Sequence, residues 1–274
     1  MGKLSRRQLA AHREACGLVG LGRELDEAEK LFVLAHYQES ASTAHAGDRA
    51  FFTPPGLARD MSIEVVGTRI LDLGAGIGQL GFACRDLWGQ VNGEPPRELV
   101  CVERNPEYVR VGMKVLPEAT WWCGDLLRVH REPMRRFDTV ISNPPFGPLA
   151  RGADSPGYRG PRFEYHAIAV CAPIARRGVF LVPQSSAPFR YSGRAAMEYD
   201  HADREYQQFS RGTGIALESS CGIDTSIYHD QWHHRTVPTE VVTCDFTDVA
   251  ARRRDVRTAT RTGWSSTHPR RARA

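Results

Sequence analysis

The stretch from residue 68 to residue 88 places the tightest constraint on what this chain can fold into. Residues 68–73 have the length and apolar content of a buried strand, and residues 74–78 read Gly-Ala-Gly-Ile-Gly. Glycine permits positive φ and a close approach of the backbone to a ligand, and a helical pattern follows over residues 79–88. This order predicts a strand, a ligand-binding turn and a helix, and a dinucleotide is one ligand that such a turn accepts.

Strand-like and helical segments alternate along most of the remaining chain. Further strands are predicted at residues 99–103, 120–124, 137–142, 179–183, 214–218 and 239–246. Further helices are predicted over about residues 105–115 and 163–177. Such alternation is typical of a mainly parallel α/β sheet that is covered by helices on both faces.

Length and composition fit one sizeable domain with appendages. The chain has 274 residues, of which 41% are hydrophobic and 25% are charged, as in an ordinary soluble protein. No apolar run approaches the roughly 20 residues of a membrane-spanning helix, and the N-terminus is polar, unlike a signal peptide. We therefore expect a cytoplasmic protein without a membrane segment.

The chain divides into three predicted parts. Residues 1–47 form a helical N-terminal extension with its clearest helix over residues 24–38, and residues 48–248 form the main domain. Residues 249–274 form a basic, disordered tail that either binds polyanions without sequence preference or serves only to keep the chain in solution. Eight Arg and one Asp give this tail a charge of +7, so the overall charge of +4 leaves −3 for the rest of the chain.

The cysteines and histidines do not predict a metal site. The seven cysteines include no Cys-x-x-Cys pair and several lie in strand-like runs, which predicts buried, reduced thiols. His229, His233 and His234 cluster at a spacing that suits a metal ion, but neither a cysteine pair nor a set of carboxylates accompanies them. We expect no bound metal.

A second motif, Asn143-Pro144-Pro145-Phe146, follows the strand predicted at residues 137–142. Two prolines fix φ and lack N–H groups, so the turn is stiff and its carbonyls stay free to accept hydrogen bonds. Asn143 adds an amide oxygen and Phe146 an aromatic face, which together suit a planar group that carries an amine, such as a nucleobase. The motif resembles the catalytic turn of the methyltransferases that use S-adenosylmethionine (SAM) to methylate the exocyclic N6 amine of adenine in nucleic acid.

The resemblance implies direct methyl transfer at this turn. In the family, the Asn side-chain oxygen and the first-proline carbonyl accept hydrogen bonds from the amine, and the aromatic residue stacks on the base. The amine is a poor nucleophile because its lone pair is delocalised into the ring. Two acceptors localise the lone pair and aim it for in-line transfer.

The resemblance also implies a Rossmann-like class I methyltransferase fold, with a seven-stranded sheet whose last strand is antiparallel. Asp72 before the glycine turn favours SAM over a dinucleotide. Glu103, at the end of the second strand, can accept from both ribose hydroxyls, and the Phe52–Pro54 segment resembles one that lines the methionine end of SAM. The implied SAM-binding residues are Phe52, Thr53, Pro54, Asp72, Gly74, Ala75, Gly76, Gly78, Glu103, Arg104, Asp125, Leu126 and Asn143.

Within these elements, some residues have more specific expectations. Thr53 is predicted to cap a helix over residues 56–66. In the family, the residue at Asp125 accepts from the adenine amine of SAM, and the residue at Leu126 packs on the adenine ring.

Two segments are candidates for substrate binding. Residues 147–161 are rich in Gly and Pro, carry Arg151 and Arg159, and predict a mobile loop over the cleft. Residues 185–212 interleave arginines with aromatic residues, including Arg190 and Tyr191, and predict either a nucleic-acid surface or a solvated helical excursion whose aromatics pack on the domain.

Several functional alternatives remain open from the sequence. DNA is favoured over RNA because a Phe-Phe-Thr-Pro segment like residues 51–54 is common in DNA adenine methyltransferases. Such enzymes usually carry a large target-recognition domain, and only the short segment over residues 185–212 and the tail are available here. A separate specificity subunit, relaxed specificity or an RNA substrate whose shape supplies selectivity would each account for this difference. Methylation of a protein glutamine is a further alternative, although that family usually has Tyr where Phe146 stands. An inactive SAM-binding partner subunit is another, and the intact Asn143 and Phe146 argue against it.

Overall fold

The computed structural model describes residues 4–38, 51–152, 154–233 and 237–249. The strands are β1 (Arg69–Leu73), β2 (Glu98–Glu103), β3 (Thr120–Cys123), β4 (Phe137–Ser142), β5 (Ala175–Pro183), β6 (Glu218–Ser219) and β7 (Thr239–Asp245). The helices are α1 (Arg6–Val19), α2 (Glu27–His36), α3 (Pro55–Ser62), α4 (Gln79–Ala83), α5 (Leu87–Val91), α6 (Pro106–Val115), α7 (Phe163–Cys171) and α8 (Arg204–Thr213). Short 3-10 helices lie at Leu126–Arg131, Gln184–Ser186 and Thr225–Gln231.

The strands form one seven-stranded sheet in the order β3-β2-β1-β4-β5-β7-β6. Strands β1 to β5 are parallel to one another, and β7 is antiparallel to both β5 and β6. The predicted mainly parallel sheet with an antiparallel last strand is therefore confirmed. Because β1, β2 and β4 point the same way, their carboxyl ends bring the glycine turn, Glu103 and Asn143 to one edge of the sheet.

Successive residues of the strands contribute to cores on opposite faces of the sheet. Leu71 and Phe180 belong to a core that α7 and α8 cover. Ile70 and Val179 belong to a core that α2, α3, α4 and α6 cover. This alternation follows from the two-residue period of a strand, and it confirms that helices cover both faces.

The two N-terminal helices pack against α6. Ser5 and Asp26 cap α1 and α2, each in a reciprocal pair with the residue three positions later. The Tyr37 hydroxyl donates to Glu107 at 2.8 Å, and the Lys114 ammonium donates to the Leu21 carbonyl at 2.7 Å. These contacts place the N-terminal helices near the carboxyl end of β2, because α6 begins three residues after Glu103.

Several predicted boundaries are wrong. The helix predicted over residues 56–66 ends at Ser62, and the strand predicted at residues 179–183 begins at Ala175. The helix predicted over residues 163–177 ends at Cys171, because Ala175 already pairs with Phe137 in the sheet. The helix predicted over residues 79–88 is divided into α4 and α5. The strand predicted at residues 214–218 has only Glu218 and Ser219, since side chains satisfy the backbone N–H groups before it: the Thr213 hydroxyl accepts from Ile215, and the Tyr206 hydroxyl accepts from Leu217.

All seven cysteines are free thiols. Cys84, Cys101, Cys171 and Cys244 are buried as predicted, and burial raises the pKa of each above its ordinary value. The prediction of burial is wrong for the exposed Cys16, Cys123 and Cys221.

Two further predictions can be compared with the described ranges only in part. None of the helices in the described part of the chain has both the length and the apolar character needed to cross a membrane. Residues 250–274 of the predicted tail lie outside the described residues.

Candidate active site

A cavity of about 360 Å³ lies at the carboxyl edge of the sheet, where β1, β2 and β4 end. Its walls come from segments that are far apart in the sequence. Twelve residues predicted for cofactor, catalysis or substrate line it: Phe52, Gly74, Gly76, Glu103, Arg104, Asp125, Leu126, Asn143, Pro144, Pro145, Phe146 and Arg151. The structure therefore brings the glycine turn and the Asn-Pro-Pro-Phe turn together in one cavity.

The side chain of Asn143 is fixed in one orientation. Its amide nitrogen donates to the Phe51 carbonyl at 2.9 Å and to the Thr53 hydroxyl at 3.0 Å. Both N–H groups are thereby used, and no group of the described residues donates to the amide oxygen or to the Pro144 carbonyl. The cavity wall thus carries two hydrogen-bond acceptors on a stiff turn.

Thr53 has a different role from the one predicted. Pro54 is the residue that precedes α3, and no side chain caps this helix, so the prediction that Thr53 caps it is wrong. The helix begins at Pro55, whose missing N–H removes one of the groups that a cap would satisfy. The Thr53 hydroxyl is free to accept from Asn143, and the residue is buried.

The glycine turn has the geometry that its sequence predicts. Gly76 has φ of 55°, and a Cβ there would lie 3.0 Å from the Phe52 ring. Gly78 has φ of 90° and directly precedes α4. The turn also crosses the end of β2, where the N–H groups of Gly74 and Ala75 both donate to the Val102 carbonyl. A side chain at position 76 would crowd the Phe52 wall of the cavity.

Glu103 ends β2 with its carboxylate at the cavity. Its two oxygens accept from the Gly76 N–H at 2.9 Å and the Asn105 N–H at 2.8 Å. Burial raises the pKa of Glu103 above its ordinary range, and these hydrogen bonds oppose that shift. Each oxygen keeps a further lone pair, so the carboxylate can still accept from two hydroxyls of a ligand. The residues present therefore fit a ribose at this position.

Glu103→Gln should weaken SAM binding roughly 10-fold to 100-fold, because a charged acceptor is worth on the order of 1.5–3 kcal/mol. Calorimetric titration with SAM measures the change. Glu98→Gln is the matched control, since Glu98 begins the same strand, pairs with Arg69 at 2.9 Å and lies outside the cavity wall. Equal SAM affinities for the two variants would remove Glu103 from the cofactor site.

Asp72 is buried beneath the glycine turn and does not line the cavity. One oxygen accepts from the Gly81 N–H at 2.7 Å, and the other has no partner among the described residues. Burial raises the pKa of Asp72 to about 7. The Asp72 carboxylate therefore accepts a hydrogen bond from the first turn of α4, and this one bond is all that stabilises its negative charge among the described residues.

Four other residues predicted to bind the cofactor also lie outside the cavity wall. Thr53 and Pro54 are buried and follow Phe51 and Phe52, which do line the cavity. Ala75 and Gly78 are buried within the glycine turn. Thr53 still affects the cavity through its hydrogen bond to Asn143.

The loop over residues 147–161 is anchored at several points, which does not fit the prediction of a mobile loop. The buried Glu164 carboxylate accepts from the Gly147 N–H at 2.8 Å. The buried ring of His166 hydrogen-bonds Ser155 at 3.0 Å and the Gly160 carbonyl at 2.8 Å. Tyr158 is itself buried. The glycines and prolines therefore shape a packed loop.

Besides Phe146, four residues are predicted to bind substrate, and they are not gathered in one place. Arg151 lines the cavity, but its guanidinium is bound to Asp154 at 2.8 Å and to the Gly160 carbonyl at 2.9 Å. Arg159 is exposed near α8, in a separate depression. Arg190 lines a second pocket that shares Phe146 with the cavity. Tyr191 packs on the core and lies in neither wall.

The aromatic residues of the segment over residues 185–212 mostly pack on the domain. Phe189 and Phe209 are buried, and Tyr206 packs against the same core, while Tyr199 is exposed. The described segment thus favours the second of its two predicted interpretations, a helical excursion packed on the main domain.

Sequence reasoning missed several residues of the cavity wall. Tyr108 lies in the first turn of α6, and its ring meets that of Phe52 edge to face at 5.1 Å between centroids. The sequence did contain a signal for Tyr108, since it is an aromatic residue shortly after Glu103, on the helix that follows β2. Phe163 and Leu149, which line the opposite side, had no such signal.

The described residues contain no group of three His, Cys, Asp or Glu side chains that could hold a metal ion. His234, one member of the histidine cluster singled out in the sequence, lies outside the described residues.

No protein-family model matches the sequence, and no curated protein matches it. Solved structures do match. A protein named as a modification subunit of a type I restriction enzyme, from Vibrio vulnificus YJ016, has a TM-score of 0.51 and 12% identity over 82% of this chain and 51% of its own. The type I restriction-modification methyltransferase subunit from Streptococcus thermophilus has a TM-score of 0.51 and 14% identity over 81% and 51%.

A third structure comes from Listeria monocytogenes and is named as a class I SAM-dependent methyltransferase. It has a TM-score of 0.51 and 11% identity over 79% of this chain and 65% of its own. This chain therefore spans about half the length of the two restriction-modification subunits. At these identities the likeness establishes the fold, which is that of class I SAM-dependent methyltransferases.

Proposed function

We propose that this protein is a SAM-dependent methyltransferase that acts on the exocyclic N6 amine of adenine in nucleic acid, with DNA favoured. The observation that carries the proposal is the fixed orientation of Asn143. Because both of its N–H groups are bonded to Phe51 and Thr53, the Asn143 side chain offers a ligand only its oxygen, which accepts, and an amine is a group that donates.

The cofactor supplies an activated methyl group when it is bound. Glu103 and the glycine turn hold its nucleoside, since they form one wall of the cavity. Asp125 and Leu126 line the same wall and suit an adenine amine and an adenine ring. These roles rest on the fit of the residues present and on the class I fold.

The chain's own contribution to the reaction is orientation and electrostatics. The Asn143 oxygen and the Pro144 carbonyl accept the two N–H groups of the target amine, which draws its lone pair out of the ring. The same acceptors stabilise the positive charge that develops on the nitrogen during transfer. Phe146 offers an aromatic face for the base, which an enzyme of this kind extrudes from its stack.

The preference for DNA over RNA rests on two observations. The two type I restriction-modification subunits share this fold, which supports a DNA substrate and a separate specificity subunit. The described part of residues 185–212 packs on the core and forms no recognition domain, which also supports a partner. An RNA substrate with its own shape is the alternative.

Mass spectrometry of nucleosides tests the proposal. The full chain is incubated with SAM and either DNA or RNA, the polymer is digested, and methylated nucleosides are measured against a reaction without SAM. We expect N6-methyldeoxyadenosine. If N6-methyladenosine formed from RNA alone, the reaction would be the proposed one and the substrate would be RNA. Methylation of another atom, or no methylated nucleoside from either polymer, would overturn the proposal.

A further inference from the structure

A second pocket of about 680 Å³ adjoins the cavity at Phe146, which lines both. Pro148, Pro161, Pro183 and Pro238 make its walls stiff. The pocket lies at the same edge of the sheet, between the Asn-Pro-Pro-Phe turn and the ends of β5 and β7. A molecule that presents a group to Asn143 past Phe146 can therefore continue into it.

One polar side chain of this pocket is fixed as an acceptor. The Gln184 amide nitrogen donates to the Glu240 carboxylate at 2.6 Å and to the Ser192 carbonyl at 3.1 Å. No group of the described residues donates to the Gln184 side-chain oxygen. Gln184 lines the pocket, so it offers an oxygen with both N–H groups already committed.

Glu240 is a buried carboxylate that holds this arrangement. It is 1% exposed, and it also accepts from the Tyr191 N–H at 2.8 Å and the Ser192 hydroxyl at 2.9 Å. Four hydrogen bonds satisfy a charge that would otherwise be costly to bury. The turn that carries Gln184 and Arg190 is thereby tied to β7.

Arg190 supplies a positive charge in the same pocket. Its side chain makes no ion pair or hydrogen bond with the residues that the structure describes. Arg162 also lines the pocket, but it is paired with Asp203. A free guanidinium beside an aromatic face and a fixed acceptor suits a ligand with an anionic group, a flat ring and a donor. A nucleotide unit has all three.

We propose that this second pocket receives the nucleic-acid strand that carries the target base, with Arg190 contacting a phosphate and Gln184 accepting from a base or sugar donor. The proposal rests on the proposed function for the identity of the substrate, but it concerns binding. It assigns recognition to residues around β5 and β7, since Arg151 is committed to its own loop.

Binding of a fluorescent single-stranded oligonucleotide to the full chain, measured by anisotropy over a range of salt concentrations, tests the proposal. Arg190→Gln should make the slope of log affinity against log salt shallower by about 1, because one phosphate contact is lost. Arg194→Gln is the matched control: Arg194 is four residues away, half-exposed, pairs with Glu198 at 3.8 Å and lies outside the pocket. Its slope should equal that of the wild type.

Gln184→Met removes the acceptor at similar volume, and although it also removes the donor to Glu240, that carboxylate keeps its bonds from the Tyr191 N–H and from the Ser192 N–H and hydroxyl, which hold the turn. The variant should therefore weaken strand binding about fivefold at every salt concentration, without a change in slope. SAM affinity, measured by calorimetry, should be unchanged in all three variants. Identical slopes for Arg190→Gln and Arg194→Gln would overturn the proposal. Methylation by the wild type would then still support the proposed function. A shallower slope for Arg190→Gln alone, without methylation by the wild type, would support the strand-binding site and contradict the proposed function.

Discussion

Asn143→Ala should lower the rate of methyl transfer by on the order of 100-fold or more while leaving SAM affinity within about threefold of the wild type. The amide oxygen is oriented before the substrate arrives, so it stabilises the charge that develops on the target nitrogen without reorganising. Loss of one preorganised hydrogen-bonding group at a site of developing charge has this magnitude in other enzymes. Single-turnover transfer to an oligonucleotide, together with calorimetry for SAM, separates the two effects.

Thr53 provides the control for this experiment. Thr53→Val removes the hydroxyl that accepts from Asn143 at nearly constant volume and leaves the bond to the Phe51 carbonyl. Its transfer rate should fall between those of the wild type and Asn143→Ala, and Thr53→Ser should restore it. Near-wild-type transfer by Asn143→Ala would show that the Asn-Pro-Pro-Phe turn is only a turn.

Asp72→Asn should abolish a large part of the pH dependence of stability. The pKa of Asp72 is about 7 in the folded protein, against an ordinary value of 3.8, because the carboxyl is buried. The folded state therefore binds the proton more tightly than the unfolded state. This stabilisation is full below pH 3.8 and is lost as the pH rises through 7.

The free energy of unfolding of the variant, relative to the wild type, should rise by on the order of 4 kcal/mol between pH 4 and pH 8. Denaturant unfolding of both proteins across this range measures the difference, and any constant offset from the new amide cancels. A difference that stays flat with pH would mean that Asp72 ionises freely in the folded protein. The carboxylate would then be hydrated from the cavity.

The parts of the fold that follow from periodicity could be predicted from the sequence. The strands β1, β2, β4 and β7 each contain several apolar or β-branched residues within five to seven positions, and the glycine turn has few structural solutions. The prediction of the sixth strand is wrong because residues 214–217 are apolar and mostly buried without being paired in the sheet. Their N–H groups bond to side chains that no local pattern reveals.

The directions of side chains in the candidate site could not be predicted from local sequence patterns either. Spacing located Asp72 next to the turn, but whether its carboxylate faces the cavity or the start of α4 depends on the packing of Gly81. The bonds from Asn143 to Phe51 and Thr53 join residues about 90 positions apart, and Gln184 meets Glu240 across two strands. Such pairs exist only once the sheet has formed.

The tethering of Asn143 also decides what the cavity rejects. Its wall presents lone pairs and no donor at the Asn143 and Pro144 oxygens, so a carbonyl in the place of the amine meets two unfavourable contacts. Hypoxanthine, the product of adenine deamination, has a carbonyl there. If the target is adenine, the orientation that activates the amine also excludes the damaged base, and an oligonucleotide with hypoxanthine at the target position should compete poorly in the same transfer assay.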